Sequence, residues 1–169
     1  MPVMRTKGNM KILTPGDQIE SPIGASIFLA GPTPREHEVE SWRPGIKSWR
    51  PEALDILEGL SFAGTVFVPE RDDWVTKFDY HDQIEWELCG LECCTRIAFW
   101  IPREMISMPA LTTNVELGMF IRSGRVVYGR PIWAVHCRYI DHLYRKFYGI
   151  PCEDLVGLLK KTKKEVENG

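Results

Sequence analysis

The sequence predicts an α/β domain with helices on both faces of a mainly parallel sheet of about five strands. Two patterns carry this. Short apolar runs stopped by glycine or proline alternate with longer segments whose apolar residues recur at helical spacing. Strand–helix alternation in turn calls for crossover connections, which place parallel strands between two helical layers. The chain has 169 residues, 44% hydrophobic and 26% charged, enough for one domain with a sizeable core.

Residues 1–24 carry Pro2, Gly8, Pro15, Gly16, Pro22 and Gly24 and read as an irregular lead-in, with a short strand at Met10–Leu13. Residues 25–169 read as the single α/β domain. Ser26–Ala30 is a buried strand stopped by Gly31-Pro32. Trp49, Ala53, Leu54, Ile56 and Leu57 have helical spacing, and Pro44 and Pro51 put that helix's start near residue 50. Gly64–Pro69 is the second strand, Tyr80–Thr95 the second helix and Arg96–Pro102 the third strand. Leu111–Gly124 reads as the third helix, Val126–Val135 as one or two strands, and Tyr139–Tyr148 and Glu153–Glu167 as further helices. The result is a three-layer domain of the flavodoxin or Rossmann-like kind. In such sheets ligands bind beyond the carboxyl ends of the strands, which selects Gly31–Arg35, Pro69–Trp74 and Pro102–Glu116. There is no GxGxxG or GxxxxGK[ST] motif to support a dinucleotide or P-loop site.

A formal net charge of −2 gives no broad attraction to a nucleic acid polymer. No apolar run approaches the length of a membrane span, and the first ten residues lack a signal-peptide core. The five cysteines have no metal-ligand spacing, and His37, His81, His136 and His142 form no HExxH pattern. The expectation is a cytoplasmic protein with free thiols, no metal and no cofactor.

Two glutamates carry the candidate chemistry. In the third helix, Thr112 or Thr113 is placed to cap the start. Glu116 then falls in the first turn, where free N–H groups and the helix dipole favour an ionised carboxylate. Such a carboxylate is a candidate nucleophile, and Thr113-x-x-Glu116 also reads as a plain capping box. On the second helix, Ile84, Leu88 and Leu91 fall in one stripe expected to face the sheet, with Glu87 on its flank. A partly buried Glu87 is suited to proton donation, and pairing with an arginine is its alternative. Trp86 points away from that stripe, with Cys89 and Cys93 beside it, so this outer face is expected to be covered by another helix of the same chain or by a second subunit, with the homo-oligomer preferred.

Together these residues resemble the nucleoside 2-deoxyribosyltransferase-like superfamily, which includes deoxyribosyltransferases and nucleotide N-glycoside hydrolases. The matching pieces are Ile27-Phe28-Leu29-Ala30-Gly31-Pro32, Glu87 on the helix before the third strand, and Asn114-Val115-Glu116-Leu117-Gly118 with Ser123-Gly124. The resemblance implies Glu116 as the nucleophile on the anomeric carbon and Glu87 as the acid serving the nucleobase. It also implies sugar and base contacts from the first-strand loop.

Gly31, Pro32, Arg35, Asp73, Thr113 and Asn114 are the substrate-binding candidates. Plainer roles compete for several of them: a turn for Asp73, a surface ion pair for Arg35, and helix-start hydrogen bonding for Asn114. The acidic residue often found shortly before the nucleophile is absent from Met108–Thr112. This leaves room for a 5′-phosphate held by Thr112, Thr113 and Arg35. The expected partners are a nucleoside or nucleotide and a free nucleobase as acceptor. The expected activity is transfer of a (deoxy)ribosyl group, with hydrolysis or non-catalytic nucleotide binding as alternatives.

Overall fold

The computed structural model describes residues 5–34, 47–71 and 79–169. Six strands form one sheet: β1 (Arg5–Lys7), β2 (Met10–Leu13), β3 (Ser26–Ala30), β4 (Thr65–Phe67), β5 (Arg96–Trp100) and β6 (Val126–Gly129). Their order is β1-β2-β4-β3-β5-β6, and every pairing is parallel except β1 with β2. Five helices accompany them: α1 (Arg50–Gly59), α2 (Tyr80–Cys93), α3 (Leu111–Phe120), α4 (Arg138–Phe147) and α5 (Leu155–Glu167).

The lead-in is therefore not wholly irregular. Gly8, at φ +56°, sits in the turn of the β1–β2 hairpin, and β2 pairs with β4. This hairpin makes the sheet six-stranded where about five were expected.

Alternation along the strands divides the core between two helical layers. Ile27 and Leu29 of β3, Ala98 and Trp100 of β5 and Val127 of β6 pack with Ala53 and Leu57 of α1 and Leu158 and Leu159 of α5. Phe28, Ala30, Ile97, Phe99 and Tyr128 point to the other face, with Trp86 and Leu91 of α2, Leu117 of α3 and Ile140 and Tyr144 of α4. Helix starts follow local chemistry. Pro51 occupies the first turn of α1, and the side chains of Asp79 and Asp154 cap α2 and α5.

From β3 the chain passes through α1 to β4 on one side, and α2 then carries it back past β3 to β5. The connections thus run in opposite directions from β3, and a crevice opens between the carboxyl ends of β3 and β5.

The sheet-facing side of α2 differs from the expected one. Its buried residues are Trp86, Gly90 and Leu91, while Ile84 and Leu88 are half-buried. Trp86 lies 6.3 Å from the Phe28 ring and 5.9 Å from the Phe67 ring, and its indole N–H donates to the Asp17 carbonyl at 3.0 Å. Gly90 allows this close approach, because a Cβ there would stand 2.9 Å from the Phe28 ring. The outward tryptophan face that motivated an oligomer does not exist. Exposed apolar side chains lie instead along α3, at Leu111, Val115 and Met119.

Candidate active site

A cavity of about 230 Å³ occupies the crevice between β3 and β5. Three segments form most of its lining, with Arg50 and Pro69 also contributing: Gly31–Thr33 after β3, the inner side of α2 through Gln83, Ile84 and Glu87, and Pro109–Thr113 with Glu116 at the start of α3.

The first wall is held from below. Gly31 has φ +153°, and a Cβ there would lie 2.1 Å from the Trp100 carbonyl oxygen, so only glycine fits. The Trp49 indole N–H donates to the Pro32 carbonyl at 3.2 Å. Arg50, 1% exposed, reaches up from α1. Its guanidinium donates to the carbonyls of Leu29 (3.0 Å) and Gly31 (2.7 Å), to Thr33 Oγ1 (3.0 Å) and to the Glu70 carboxylate. Ser48 Oγ also lies 2.7 Å from both carboxylate oxygens of Glu70. Arg50 was not singled out in the sequence. The segment Trp49-Arg50-Pro51 reads as a helix start, and nothing in spacing tells a buried arginine from a solvated one.

The third wall corrects the expected start of α3. Its N-cap is Ala110, in the left-handed region at φ +57°, and no side chain caps it. Neither Thr112 nor Thr113 is the cap, and Glu116 is the sixth helical residue, in the second turn. The capping box does not form, because the helix starts two to three residues earlier than the threonines suggest. The amide of Asn114 makes the first helical bond, to Ala110 O at 3.2 Å. The N–H groups of Leu111, Thr112 and Thr113 thus precede the hydrogen-bonded ladder, beside the cavity. Thr113 is 3% exposed, and its hydroxyl makes no hydrogen bond among the described residues.

Both glutamates face this cavity, and both titrate above the usual carboxylate range. Burial pushes Glu87 up, opposed by a hydrogen bond from Gln83 Nε2 at 2.9 Å and by the charge of Arg50. Glu116 is pushed up to about 7, first by burial and then by the charge of Glu87, with Arg50 opposing. Among the described residues nothing hydrogen-bonds or ion-pairs with Glu116. The dipole argument for a permanently ionised Glu116 therefore fails, since desolvation outweighs it one turn into the helix. Two such carboxylates titrate as a pair and retain a proton into the near-neutral range.

The other candidates divide. Gly31, Pro32 and Thr113 line the cavity with Glu87 and Glu116. Asn114 is exposed and does not line it; its side-chain oxygen accepts from Arg103, which also donates to the His136 carbonyl at 2.8 Å. Arg35 and Asp73 lie outside the described residues. Among the described residues no group of three or more His, Cys, Asp or Glu side chains could hold a metal ion. No helix there is long and apolar enough to cross a membrane, and all five cysteines are free thiols.

The profile of the family described as "Nucleoside 2-deoxyribosyltransferase like" matches residues 24–131, well over half of the chain. The chain belongs to this family, and the general class of function is nucleoside deoxyribosyltransferase-like. A search of curated proteins gave no match.

Proposed function

We propose that the protein cleaves the N-glycosidic bond of a (deoxy)nucleoside or its 5′-monophosphate and transfers the sugar to another nucleobase. The observation that carries this reading is the pair Glu87 and Glu116: two half-buried carboxylates on one cavity, both with raised pKa values. Arg50, the buried cation beside them, is committed to Glu70. Both acids are half-buried, and among the described residues neither is neutralised by an ion pair of its own. Such an arrangement suits proton transfer and covalent chemistry better than structure.

In the proposed reaction the ionised Glu116 attacks C1′. The bonding pair of the N-glycosidic bond leaves with the base, and the proton held by Glu87 moves to a base nitrogen. This produces a glycosyl ester on Glu116. A second base then attacks C1′, the ester electrons return to Glu116, and the incoming base's proton returns to Glu87. Water in place of the second base gives hydrolysis. The reactive form is the tautomer of the singly protonated pair that carries the proton on Glu87; the form with the proton on Glu116, whose pKa is pushed up to about 7, reaches it by proton transfer within the pair.

The N–H groups at the start of α3 and the Thr113 hydroxyl support a 5′-phosphate as part of the substrate, since helix N-termini favour anions. A homo-oligomer that covers the Leu111, Val115 and Met119 stripe belongs to the same reading; light scattering giving only the 19.4 kDa mass would count against it. The function is tested by incubation with (deoxy)nucleosides and their 5′-monophosphates, with and without an acceptor base, followed by chromatography. Transfer products appearing only with an acceptor base support the proposal. Free base released equally with or without an acceptor gives hydrolysis, and no release from any substrate leaves a binding domain.

A further inference from the structure

Arg50 is a buried cation at the wall of the cavity, and its bonding is unlike that of an ordinary ion-pair partner. A guanidinium has five N–H donors. Four are committed, three of them to the rim: two backbone carbonyls and one hydroxyl of the segment Leu29–Thr33. Only one serves the counter-ion Glu70. The Trp49 ring lies under the guanidinium, 4.8 Å from ring centroid to Cζ, and its own N–H takes another rim carbonyl, that of Pro32. The loop is therefore pinned at each of its three residues by one dipeptide at the start of α1. A lysine cannot reproduce the planar fork that reaches four acceptors on two segments.

The same guanidinium is the described cation whose charge bears on both cavity glutamates. Among the described residues, the charged and titratable groups here are Arg50 from α1, Glu70 after β4, Glu87 and Tyr80 from α2, and Glu116 from α3. Glu70 is the counter-ion of this guanidinium, and a paired cation attracts other anions less than a free one.

We propose that Arg50 is the positioning residue of this site, fixing the Gly31–Thr33 rim and favouring negative charge on Glu87 and Glu116 against their desolvation, with Glu70 as its restraint. The consequence for catalysis rests on the reading of these glutamates as the reacting pair. The test needs no substrate, so its failure is distinct from a failure of that reading.

The experiment is a ¹³C NMR titration of the glutamate side-chain carboxyls in the whole protein, assigned with Glu87→Gln and Glu116→Gln. The upper midpoint of the pair is expected near 7 in the wild type. Glu70→Gln frees the charge of Arg50 and is expected to lower this midpoint by about half a pH unit or more. Arg50→Gln strips a buried partner from Glu70 and risks misfolding. The double variant Arg50→Gln/Glu70→Gln replaces the ion pair by two amides and differs from Glu70→Gln only in the cation. Its midpoint should stand about one pH unit above that of Glu70→Gln. Arg50→Lys keeps the charge and should hold the midpoint near the wild-type value, while the amide signals of Gly31 and Thr33 shift and exchange faster. Equal midpoints in the double variant and Glu70→Gln would overturn the charge role. Unaltered Gly31 and Thr33 amides in Arg50→Lys would overturn the positioning role.

Discussion

Asp141 and Glu116 are carboxylates removed from water near the same sheet, one beyond β6 and the other beyond β5, and their surroundings differ in kind. Asp141, 4% exposed, accepts from the Tyr128 hydroxyl at 2.9 Å and is gripped by Arg130 through Nε (3.0 Å) and Nη2 (2.6 Å). Burial alone would raise it, and these bonds win, so its pKa lies below the usual value. Glu116 receives no such bonds, and burial together with Glu87 takes it to about 7. Desolvation pushes both carboxylates up. At Asp141 the fold offsets it fully; at Glu116 it stands. A compensated carboxylate is a joint between β6 and α4. An uncompensated pair on a cavity is what a reaction that moves a proton and traps a cation requires.

Substitutions at the two places should therefore separate activity from stability. The largest expected effect is on turnover of the substrate that the panel identifies: Glu116→Gln loses on the order of 10³-fold or more, because an amide cannot attack C1′. Glu87→Gln should cost about 10²-fold in kcat, and less for substrates whose base leaves readily, since proton donation then matters less. Steady-state kinetics on two substrates of different leaving ability checks this.

On the other side of the comparison, Asp141→Asn should cost on the order of 3 kcal/mol in a denaturant titration, with turnover per folded molecule kept. The sign with pH is fixed by the lowered pKa of Asp141. Its stabilisation is complete above the ordinary carboxylate value of 3.8 and fades as pH falls through the lower folded value. The smallest effect is at Asn114→Ala, which removes an acceptor from the buried Arg103, whose Nε already has no partner. A loss of about 1–2 kcal/mol with turnover changed by less than about threefold is expected; a large turnover loss at constant stability would return Asn114 to the site.

Much of this was legible in the sequence, and the gaps have physical causes. Ser26–Ala30, stopped by Gly31-Pro32, and the Pro51-started helix were readable because local punctuation and burial agree there. The face of α2 was misread because apolar side chains were weighed by type. The contact with the sheet is made by Trp86 and by Gly90, whose missing side chain lets the helix approach. The start of α3 was misread because threonine is a good cap and alanine a poor one, yet the backbone turns at Ala110. Glu87 and Glu116 could be named from motif and helical phase, but their raised pKa values arise from tertiary burial and from each other. Arg50 was hidden for the same reason: its four acceptors lie in segments distant along the chain.

The most direct measurement of the central claim, that Glu116 is buried without compensation, is the stability of Glu116→Gln against the wild type across pH. The carboxyl of Glu116 has an ordinary value of 4.5 and a folded value of about 7. Between these the folded chain holds a proton that the unfolded chain has released, so wild-type stability falls as pH rises through that window. Glutamine removes this penalty. The variant should exceed the wild type by on the order of 1–3 kcal/mol at pH 8, and the advantage should vanish below about pH 4. A variant equally or less stable than the wild type at pH 8 would contradict the account and make Glu116 a satisfied structural carboxylate.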